Sequence, residues 1–420
     1  MKAGPSPAFQ QERLGRSFDL LAAYPGHGGF LLERDGVGVA AVGSGAIDLG
    51  VAPGDGGGIL ELDRAVLATL RSLAGDLMPL AVGAVGFDPN AGGQLQVPPT
   101  AVRRWDDGTT RRLRLANDEA DTLPLATTAV VEGSPRKAFA EVEMRELPSP
   151  DVYADAVARA VSEIRDGALR KVVLARTIAV DAGHQLDPRR LLHHLRAVEP
   201  HAFSFAVPVA GERGVRASLV GASPELLVSR RGLEIRSNPL AGSASRSGDP
   251  EEDRENARAL ADSAKDHEEH AIVVDAMAET LGPFCQELAW EPEPVLHETA
   301  NVWHLSTRFL GILHEAAPSV LELVAALHPT PAVCGAPRAE ALELISELEP
   351  FDRGRYAGAV GWIDAAGDGD WVIALRCAEL EGERATLYAG AGIVADSVPE
   401  REVDETDRKF RAFLDALRWG

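Results

Sequence analysis

Residues 151–180, DVYADAVARAVSEIRDGALRKVVLARTIAV, contain a helical pattern followed closely by a strand pattern. Apolar residues recur at helical spacing over 151–166, and Gly167 favours the end of that helix. Residues 171–180 are rich in β-branched side chains and alternate in polarity, which is typical of a strand. Similar strand-like runs recur at 216–221, 225–230, 357–363, 371–378 and 386–394. Helices grouped around several antiparallel strands predict an α+β layered fold rather than a βαβ repeat.

A second helix is predicted over residues 250–281 from the signals at its two ends. Asp249 is a candidate N-cap, and Pro250 suits the first turn of a helix. Gly282-Pro283 would end the helix. Because a helix of this length is unusual, a kink or a break within it is an alternative.

The composition bounds the classes of function. The 420 residues are 45% hydrophobic, enough for a large core, and the net charge is −22 at pH 7. This charge argues against nucleic-acid backbones and anionic membranes as partners, so an anionic substrate would need local positive groups. No stretch approaches the roughly 18 apolar residues of a membrane span. Residues 1–18 lack the apolar run of a signal peptide.

The cysteines are Cys285, Cys334 and Cys377, an odd number without CxxC spacing. They predict neither a disulfide framework nor a zinc site, and they suit a reducing cytosol. A cytoplasmic protein is therefore expected.

The composition shifts near residue 145. The part before it is rich in glycine and alanine, and residues 101–135 predict a strand hairpin that turns at Asp107-Gly108. Gly43-Ser44-Gly45 lacks the remaining residues of a dinucleotide or P-loop motif, so we interpret it as a turn. Because there is neither an internal repeat nor a long linker, one domain over 1–420 is expected.

Two acidic stripes lie on segments with helical patterns. The first stripe, at i, i+4 and i+7, consists of Asp262, Asp266 and Glu269. The second stripe, at i, i+3 and i+7, consists of Glu402, Glu405 and Lys409. Bringing two such stripes together is costly unless a divalent cation lies between them. Oxygen ligands with one or two carboxylates per element suit Mg²⁺. The alternative is two solvated acidic faces in an acidic protein.

Three charged residues interrupt apolar patterns. Lys171 opens its strand; buried beside other cations it could act as a general base, and at a strand edge it would simply reach water. Glu225 precedes an apolar run, so it is either a proton donor with a raised pKa or a turn residue. Arg376 ends the apolar strand WVIALR and needs a carboxylate, from a substrate or from the protein itself.

Residues 267–270, HEEH, look like a zinc motif, but zinc proteases space their two histidines i, i+4. Here the spacing is i, i+3 and no third ligand motif follows, so zinc hydrolysis is not expected. His193 and His194 lie on an amphipathic segment and are interpreted as surface or packing residues.

Eight ordered segments resemble the chorismate-utilising enzymes. They are KVVLAR (171–176), GASPELLV (221–228), NPLAGSASRSGDPEED (238–253), SAKDHEEH (263–270), VWHLST (302–307), LHPTPAVCGAP (327–337), GAVGWIDAAGDGDWVIALRCAEL (358–380) and YAGAGIVADSVPEREVDETDRK (388–409). The resemblance implies an α+β fold with a large antiparallel β-sandwich core flanked by helices. Residues 1–145 would complete the sandwich, and residues 146–418 would form the motif-bearing catalytic core.

The resemblance also implies roles for individual residues. Lys171 would be the general base and Glu225 the general acid. The ligands of a Mg²⁺ cofactor would be Glu269, Glu402 and Glu405, with Asp266 reaching the metal through water. Chorismate would be bound by Arg376, Tyr388, Gly390, Ala391, Gly392, His304, Gly242, Ser243 and Lys409.

Two loops bear on the nucleophile. PLAGSASRSG (239–248) and HPTPAVCGAP (328–337) are similar to the family branch that uses water. Aminating relatives typically read PIAGTRxRG and VSGAPK at these loops and take ammonia from a glutaminase. The resemblance thus implies a monomeric isomerase without a glutaminase subunit, in which water attacks C2 of chorismate, the C4 hydroxyl leaves and isochorismate forms.

Three alternatives stay open. A salicylate synthase would add the loss of pyruvate, and an aminating synthase would use ammonia. A chorismate-binding protein without turnover is the third, although a pure binder needs neither the base Lys171 nor the acid Glu225. Cys334 departs from the glycine that is common at this place in the water-using branch, and it could alter the shape of the loop.

Overall fold

The computed structural model of the protein describes residues 9–15, 18–42, 47–51, 58–74, 79–115, 144–211 and 216–417. The helices in these ranges are α1 Leu20–Ala23, α2 Gly58–Leu73, α3 Pro150–Arg165, α4 Pro188–Val198, α5 Pro250–Ala261, α6 Ala264–Leu281, α7 Val320–Leu327, α8 Arg338–Leu348 and α9 Pro399–Leu417. Single 3₁₀ turns cover Pro89–Ala91 and Gly282–Phe284.

The strands in the same ranges are β1 Phe9–Leu14, β2 Phe30–Arg34, β3 Val37–Val42, β4 Ile47–Val51, β5 Leu80–Val85, β6 Gly93–Val97, β7 Thr100–Arg104, β8 Thr110–Leu115, β9 Met144–Leu147, β10 Lys171–Asp181, β11 Phe203–Ala210, β12 Arg216–Ser223, β13 Leu226–Arg231, β14 Glu234–Asn238, β15 Leu240–Ser245, β16 Cys285–Trp290, β17 Val295–Glu298, β18 Val302–Ser306, β19 Phe309–Leu313, β20 Gly335–Ala336, β21 Ala359–Asp364, β22 Gly369–Ile373, β23 Cys377–Glu381 and β24 Arg384–Ile393.

The strands form three sheets. Sheet A has the order β1-β8-β7-β3-β2-β11-β12-β23-β24-β10-β20, with β9 also paired to β10. Sheet B has the order β16-β19-β14-β13-β22-β21-β5-β6-β4, and sheet C is β15-β18-β17. Neighbouring strands run antiparallel, as in β10–β24 and β21–β22. The expected α+β fold, with large antiparallel sheets and flanking helices, is confirmed.

The main hydrophobic core brings together the facing sides of sheets A and B. Phe205 of sheet A and Trp362 and Trp371 of sheet B are fully buried in it. A second cluster packs α1, α4 and α9 on sheet A, with Leu21, Leu192 and others at its centre. Burial of side chains from sheets and helices on this scale is the main stabilising term for such a fold.

Strands from both parts of the chain share the two large sheets. In sheet A, β2 pairs with β11, and in sheet B, β5 pairs with β21. Each of the two large sheets therefore contains strands from residues before 116 and strands from residues after 143. In the described part of the chain, no helix is long and apolar enough to cross a membrane.

The helix predicted over 151–166 is confirmed as α3, but the one predicted over 250–281 is divided. Asp249 caps α5, since its side chain accepts hydrogen bonds from the amides of Glu251 and Glu252. The helix then breaks: Asp262 is the C-cap of α5, and Ser263 is the N-cap of α6. Asp262 therefore lies outside the α6 stripe, and its place in that stripe was wrongly predicted.

The run predicted as one strand over 371–378 is two strands in different sheets. Strand β22 of sheet B ends at Ile373, and β23 of sheet A begins at Cys377. Arg376 lies in the connection with a left-handed φ of 49°. The expectation that Arg376 ends a strand is therefore wrong. Arg376 lies where the chain crosses from one sheet to the other.

The predicted hairpin is confirmed as far as residue 115. Strands β7 and β8 pair in antiparallel register, and Asp107 accepts a hydrogen bond from the Thr109 amide beside Gly108, whose φ is 77°. Residues 116–135 of that prediction, and Gly43-Ser44-Gly45, lie outside the described residues.

Candidate active site

A cavity lies where several elements of the motif-bearing part meet. It is lined from strands β10 and β24 of sheet A, β15 and β18 of sheet C, and helices α6 and α9. The predicted site residues on its wall are Glu225, Gly242, Ser243, Glu269, His304, Arg376, Tyr388, Gly390, Gly392, Glu405 and Lys409. The fold therefore gathers residues that are far apart in the sequence around one space.

Four of the predicted site residues do not line this cavity. Lys171 lies 3.0 Å from Glu269 of the wall, and Asp266 and Glu402 interact electrostatically with Glu269 and Glu405 of the wall. Ala391 is different: the strand alternates, Gly390 and Gly392 face the cavity, and Ala391 is buried in the main core.

Glu225 is a buried carboxyl between two strands. It follows Pro224 and is 2% exposed, and its amide donates to the hydroxyl of Ser223 at 3.3 Å. Burial raises the pKa of Glu225 to about 8, against the opposing effect of nearby Lys171. At neutral pH Glu225 therefore carries a proton that it can donate.

Lys171 is the first residue of β10 and is fully buried. Its Nζ atom lies 3.0 Å from Oε1 of Glu269 on α6. The alternative in which this lysine reaches water at a strand edge is therefore wrong. The candidate base Lys171 is therefore in contact with Glu269, a candidate metal ligand.

Each of the three candidate glutamate ligands is paired with a lysine. The N–O distances are 3.0 Å for Lys171–Glu269, 3.3 Å for Lys265–Glu402 and 2.6 Å for Lys409–Glu405. Among the residues that the structure describes, no three Asp, Glu, His or Cys side chains are already arranged around one ion position. Lys265 was not singled out from the sequence.

The four candidate carboxylates nevertheless repel one another. Burial, and then Glu405, raises the pKa of Glu402 well above its ordinary value. Burial also raises the pKa of Asp266, with Glu269 and Glu405 adding to the effect. Burial acts to raise the pKa of Glu405 as well, but Lys409 lowers it overall. Buried carboxylates that repel one another form a donor set that fits a hard divalent cation such as Mg²⁺.

Two glycines permit the close approach of these carboxylates. A Cβ atom at Gly392 would lie 2.2 Å from Oε1 of Glu269 and 3.2 Å from Cε of Lys171. Gly242 has a left-handed φ of 74°, and a Cβ atom there would lie 3.1 Å from that of Asp266. A side chain at position 392 would therefore require the carboxyl group of Glu269 to move.

Arg376 is held by a histidine whose tautomer follows from its partners. The Gly242 carbonyl can only accept, so Nδ1 of His304 donates to it at 3.2 Å. Nε2 of His304 then accepts from the guanidinium of Arg376 at 3.0 Å. Burial, followed by the charge of Arg376, keeps the pKa of His304 well below its ordinary value. The neutral imidazole fixes the direction of Arg376 without competing for an anion.

Sequence reasoning missed several residues of the wall. Tyr356 stacks on Tyr388 with ring centroids 4.9 Å apart, and Leu375 precedes Arg376. Val333 belongs to the loop quoted as HPTPAV, and its carbonyl accepts from buried Arg353 at 2.8 Å. Apolar and aromatic wall residues look like core residues in a sequence, so only their nearness to recognised motifs could have marked them.

His267 and His270, the two histidines of the HEEH segment, make different contacts. His270 is buried, and its Nε2 atom is 2.8 Å from the hydroxyl of Thr307. His267 contacts the carbonyl of Ala261 at 2.8 Å. The two rings therefore bond to different elements.

Comparisons with known proteins give a consistent result. The model of the family described as "Chorismate binding enzyme" matches residues 106–418. The chain is 43% identical to the isochorismate synthase DhbC of Bacillus subtilis over 82% of each chain, and 38% identical to the isochorismate synthase EntC of Escherichia coli over 81% of each. It superposes on the structure titled as a 2,3-dihydroxybenzoate-specific isochorismate synthase, DhbC, of Bacillus anthracis with a TM-score of 0.82, at 37% identity, over 96% of this chain and 99% of that one. The residues matched by the family model contain the whole cavity wall.

Proposed function

The chain belongs to the family of chorismate-binding enzymes, and we propose that it converts chorismate to isochorismate with Mg²⁺ as its cofactor. The observation that carries this proposal is the buried carboxyl of Glu225 on the wall of a cavity that also presents Arg376, with buried Lys171 paired to Glu269 of the same wall. A proton donor, a base and a cation for a carboxylate are the groups that this isomerisation requires.

The proposed chemistry is a displacement across the ring. A water molecule attacks C2 and gives a proton to Lys171. The ring double bonds shift, the C4–O bond breaks, and Glu225 gives its proton to the departing hydroxyl. One water is consumed and one is released, so the product is an isomer of the substrate. Proton transfer by such positioned groups typically accelerates a reaction about 10²–10⁴-fold each.

Mg²⁺ would be held by Glu269, Glu402 and Glu405, with Asp266 beside them, and it would neutralise the carboxylate attached to the ring. Ser243 supports this assignment because its hydroxyl hydrogen-bonds Glu405. Arg376, directed by His304, would bind the second carboxylate of chorismate. These contacts hold the substrate in register with the acid and the base.

Water is proposed as the nucleophile because the loops around Gly242 and Val333 follow the water-using pattern. Both residues line the cavity. The chain therefore needs no ammonia channel and no glutaminase partner.

The product assay tests the proposed reaction. The protein is incubated with chorismate and Mg²⁺ in ¹⁸O-labelled water, and the products are separated by chromatography. Isochorismate labelled at its ring hydroxyl is the expected result. Salicylate as the main product, or anthranilate formed at a matching rate when ammonium is added, would contradict it.

A paired variant tests the metal ligands. Glu405→Gln should abolish turnover while the protein stays folded, since glutamine keeps the size of the side chain and its carbonyl oxygen can still accept from Lys409. Glu400→Gln changes an exposed glutamate at the start of the same helix and should leave turnover unchanged. Full activity of the wild-type protein in excess EDTA would exclude the metal.

A further inference from the structure

The ion pair between Lys265 and Glu402 takes no part in the acid–base chemistry above. Lys265 lies on α6 next to Asp266, and its ammonium is 3.3 Å from Glu402 on α9. Burial acts to lower the pKa of Lys265, but the charges of Glu402, Glu269 and Asp266 outweigh it. The ammonium therefore lies within the field of three of the four candidate metal ligands.

The three lysines around these carboxylates differ in their access to water. The side chain of Lys171 is 0% exposed, that of Lys409 is 14% exposed and that of Lys265 is 34% exposed. Lys409 also donates to the Gly390 carbonyl at 2.7 Å. A lysine that already reaches solvent can leave a partner and keep its charge hydrated, whereas a fully buried lysine cannot. Lys265 is thus the lysine that can be exchanged for another cation.

We propose that Lys265 is a displaceable counter-ion of the metal site. It neutralises Glu402 until a divalent cation takes that carboxylate, and it then turns towards solvent. This inference rests on the proposed Mg²⁺ site, and it gives that site a built-in competitor.

Two consequences follow from the charges. A cation that binds Glu402 has to displace an ammonium and to bind near it, so Lys265 weakens cation binding. Without a bound cation, Lys265 offsets the repulsion between Glu402 and Glu405, so it stabilises the cation-free protein. Removing the charge should therefore change metal affinity and cation-free stability in opposite directions.

The test measures metal binding directly, without substrate. Mn²⁺, as a probe for Mg²⁺, is titrated into EDTA-treated and dialysed protein, and free Mn²⁺ is read by electron paramagnetic resonance. Lys265→Met should bind Mn²⁺ on the order of tenfold more tightly, because one unit of competing charge is gone. Lys265→Arg keeps the charge and should bind like the wild type. Arg258→Met removes an exposed charge from the preceding helix and should also bind like the wild type.

Thermal unfolding gives a second reading. Lys265→Met should melt below the wild type when free of metal, and the difference should disappear at saturating Mn²⁺. Lys265→Gln carries the same expectations if the methionine variant does not fold. Equal or weaker Mn²⁺ binding by the uncharged variants would overturn the counter-ion role while leaving the metal site intact. No binding of Mn²⁺ by the wild type, or binding that Mg²⁺ does not displace, would instead contradict the proposed metal site.

Discussion

The described residues before 116 and those after 143 contribute differently to the same protein. The first part supplies five strands to sheet A and three to sheet B, and Phe30, Leu62 and Val82 of this part are fully buried in the main core. Every residue that lines the candidate active site comes from the second part, between Val173 and Lys409. One part is therefore scaffold, and the other is both scaffold and chemistry.

The difference explains why only one part was legible as function. Core positions accept many apolar residues of suitable size, so the first part carries a pattern but no motif. Groups that transfer protons or bind a metal require particular residue types at particular places. The comparison predicts that substitutions at the cavity wall, which lies wholly in the second part, change catalysis, whereas substitutions in the core of either part change only stability.

The acid and the base should show the largest effects. Lys171→Ala removes the group that activates water, and Glu225→Gln removes the proton for the leaving hydroxyl. Either change should lower kcat about 10²–10⁴-fold with little change in KM, because these groups act mainly in the transition state. Steady-state kinetics with chorismate measures both constants. A Lys171→Ala enzyme with wild-type kcat would move the base to another residue.

Substitution of Arg376 should have the next largest effect, and the constant that changes should be KM rather than kcat. Arg376→Ala removes the cation proposed to bind a substrate carboxylate in ground and transition states alike, so KM should rise about 100-fold while kcat changes less. His304→Ala removes the imidazole that accepts from Arg376. Because the guanidinium is then no longer oriented, KM should rise, but by a smaller factor. A fall in kcat without a rise in KM would assign Arg376 to the chemical step.

Much of the site could be predicted from the sequence because polar residues were placed against the pattern around them. Lys171 and Glu225 interrupt apolar runs, and the structure buries both. The spacing of Glu402, Glu405 and Lys409 gave their common helix directly, since all three lie on α9. Local patterns marked these residues as unusual, whereas their roles in the site came from the resemblance to the chorismate-utilising enzymes.

The failures came from tertiary structure that local patterns do not encode. Residues 371–378 look like one strand, yet the chain leaves sheet B and enters sheet A at Arg376. The helical pattern over 250–281 allowed a break but did not give its position, so Asp262 was wrongly placed on one stripe with Asp266. Tyr356 has the appearance of a core residue until Tyr388 is seen to stack on it at the cavity wall.

The pH dependence of kcat/KM should show a more moderate effect, and it tests the role of Glu225 as the proton donor. Burial raises its pKa to about 8, so the carboxyl is protonated below that pH and loses its proton as the pH rises through it. Because only the protonated form can donate, kcat/KM should fall about tenfold per pH unit above about pH 8. Glu225→Gln should lack this alkaline limb in its residual activity. An alkaline limb that persists in the variant would belong to another group.

The smallest effect on catalysis should come from the core, where both parts meet. Leu70 on α2 and Leu323 on α7 are fully buried in the same cluster, and Ser319 at the start of α7 donates to Asp63 of α2 at 2.5 Å. Leu70→Ala and Leu323→Ala should each lower the free energy of unfolding by about 3 kcal/mol through a cavity of similar kind.

Because the two leucines belong to one core, each variant should unfold in a single transition shifted to lower denaturant, with kcat unchanged. Leu60→Ala, at an exposed position of α2, should leave the transition where it is. Chemical denaturation followed both by circular dichroism and by loss of activity measures this. If Leu70→Ala produced a separate early transition while activity survived, the first part would be an independent domain. Coincident transitions in both variants would instead support one cooperative unit, in which a part without catalytic groups sustains the site through the sheets that it extends.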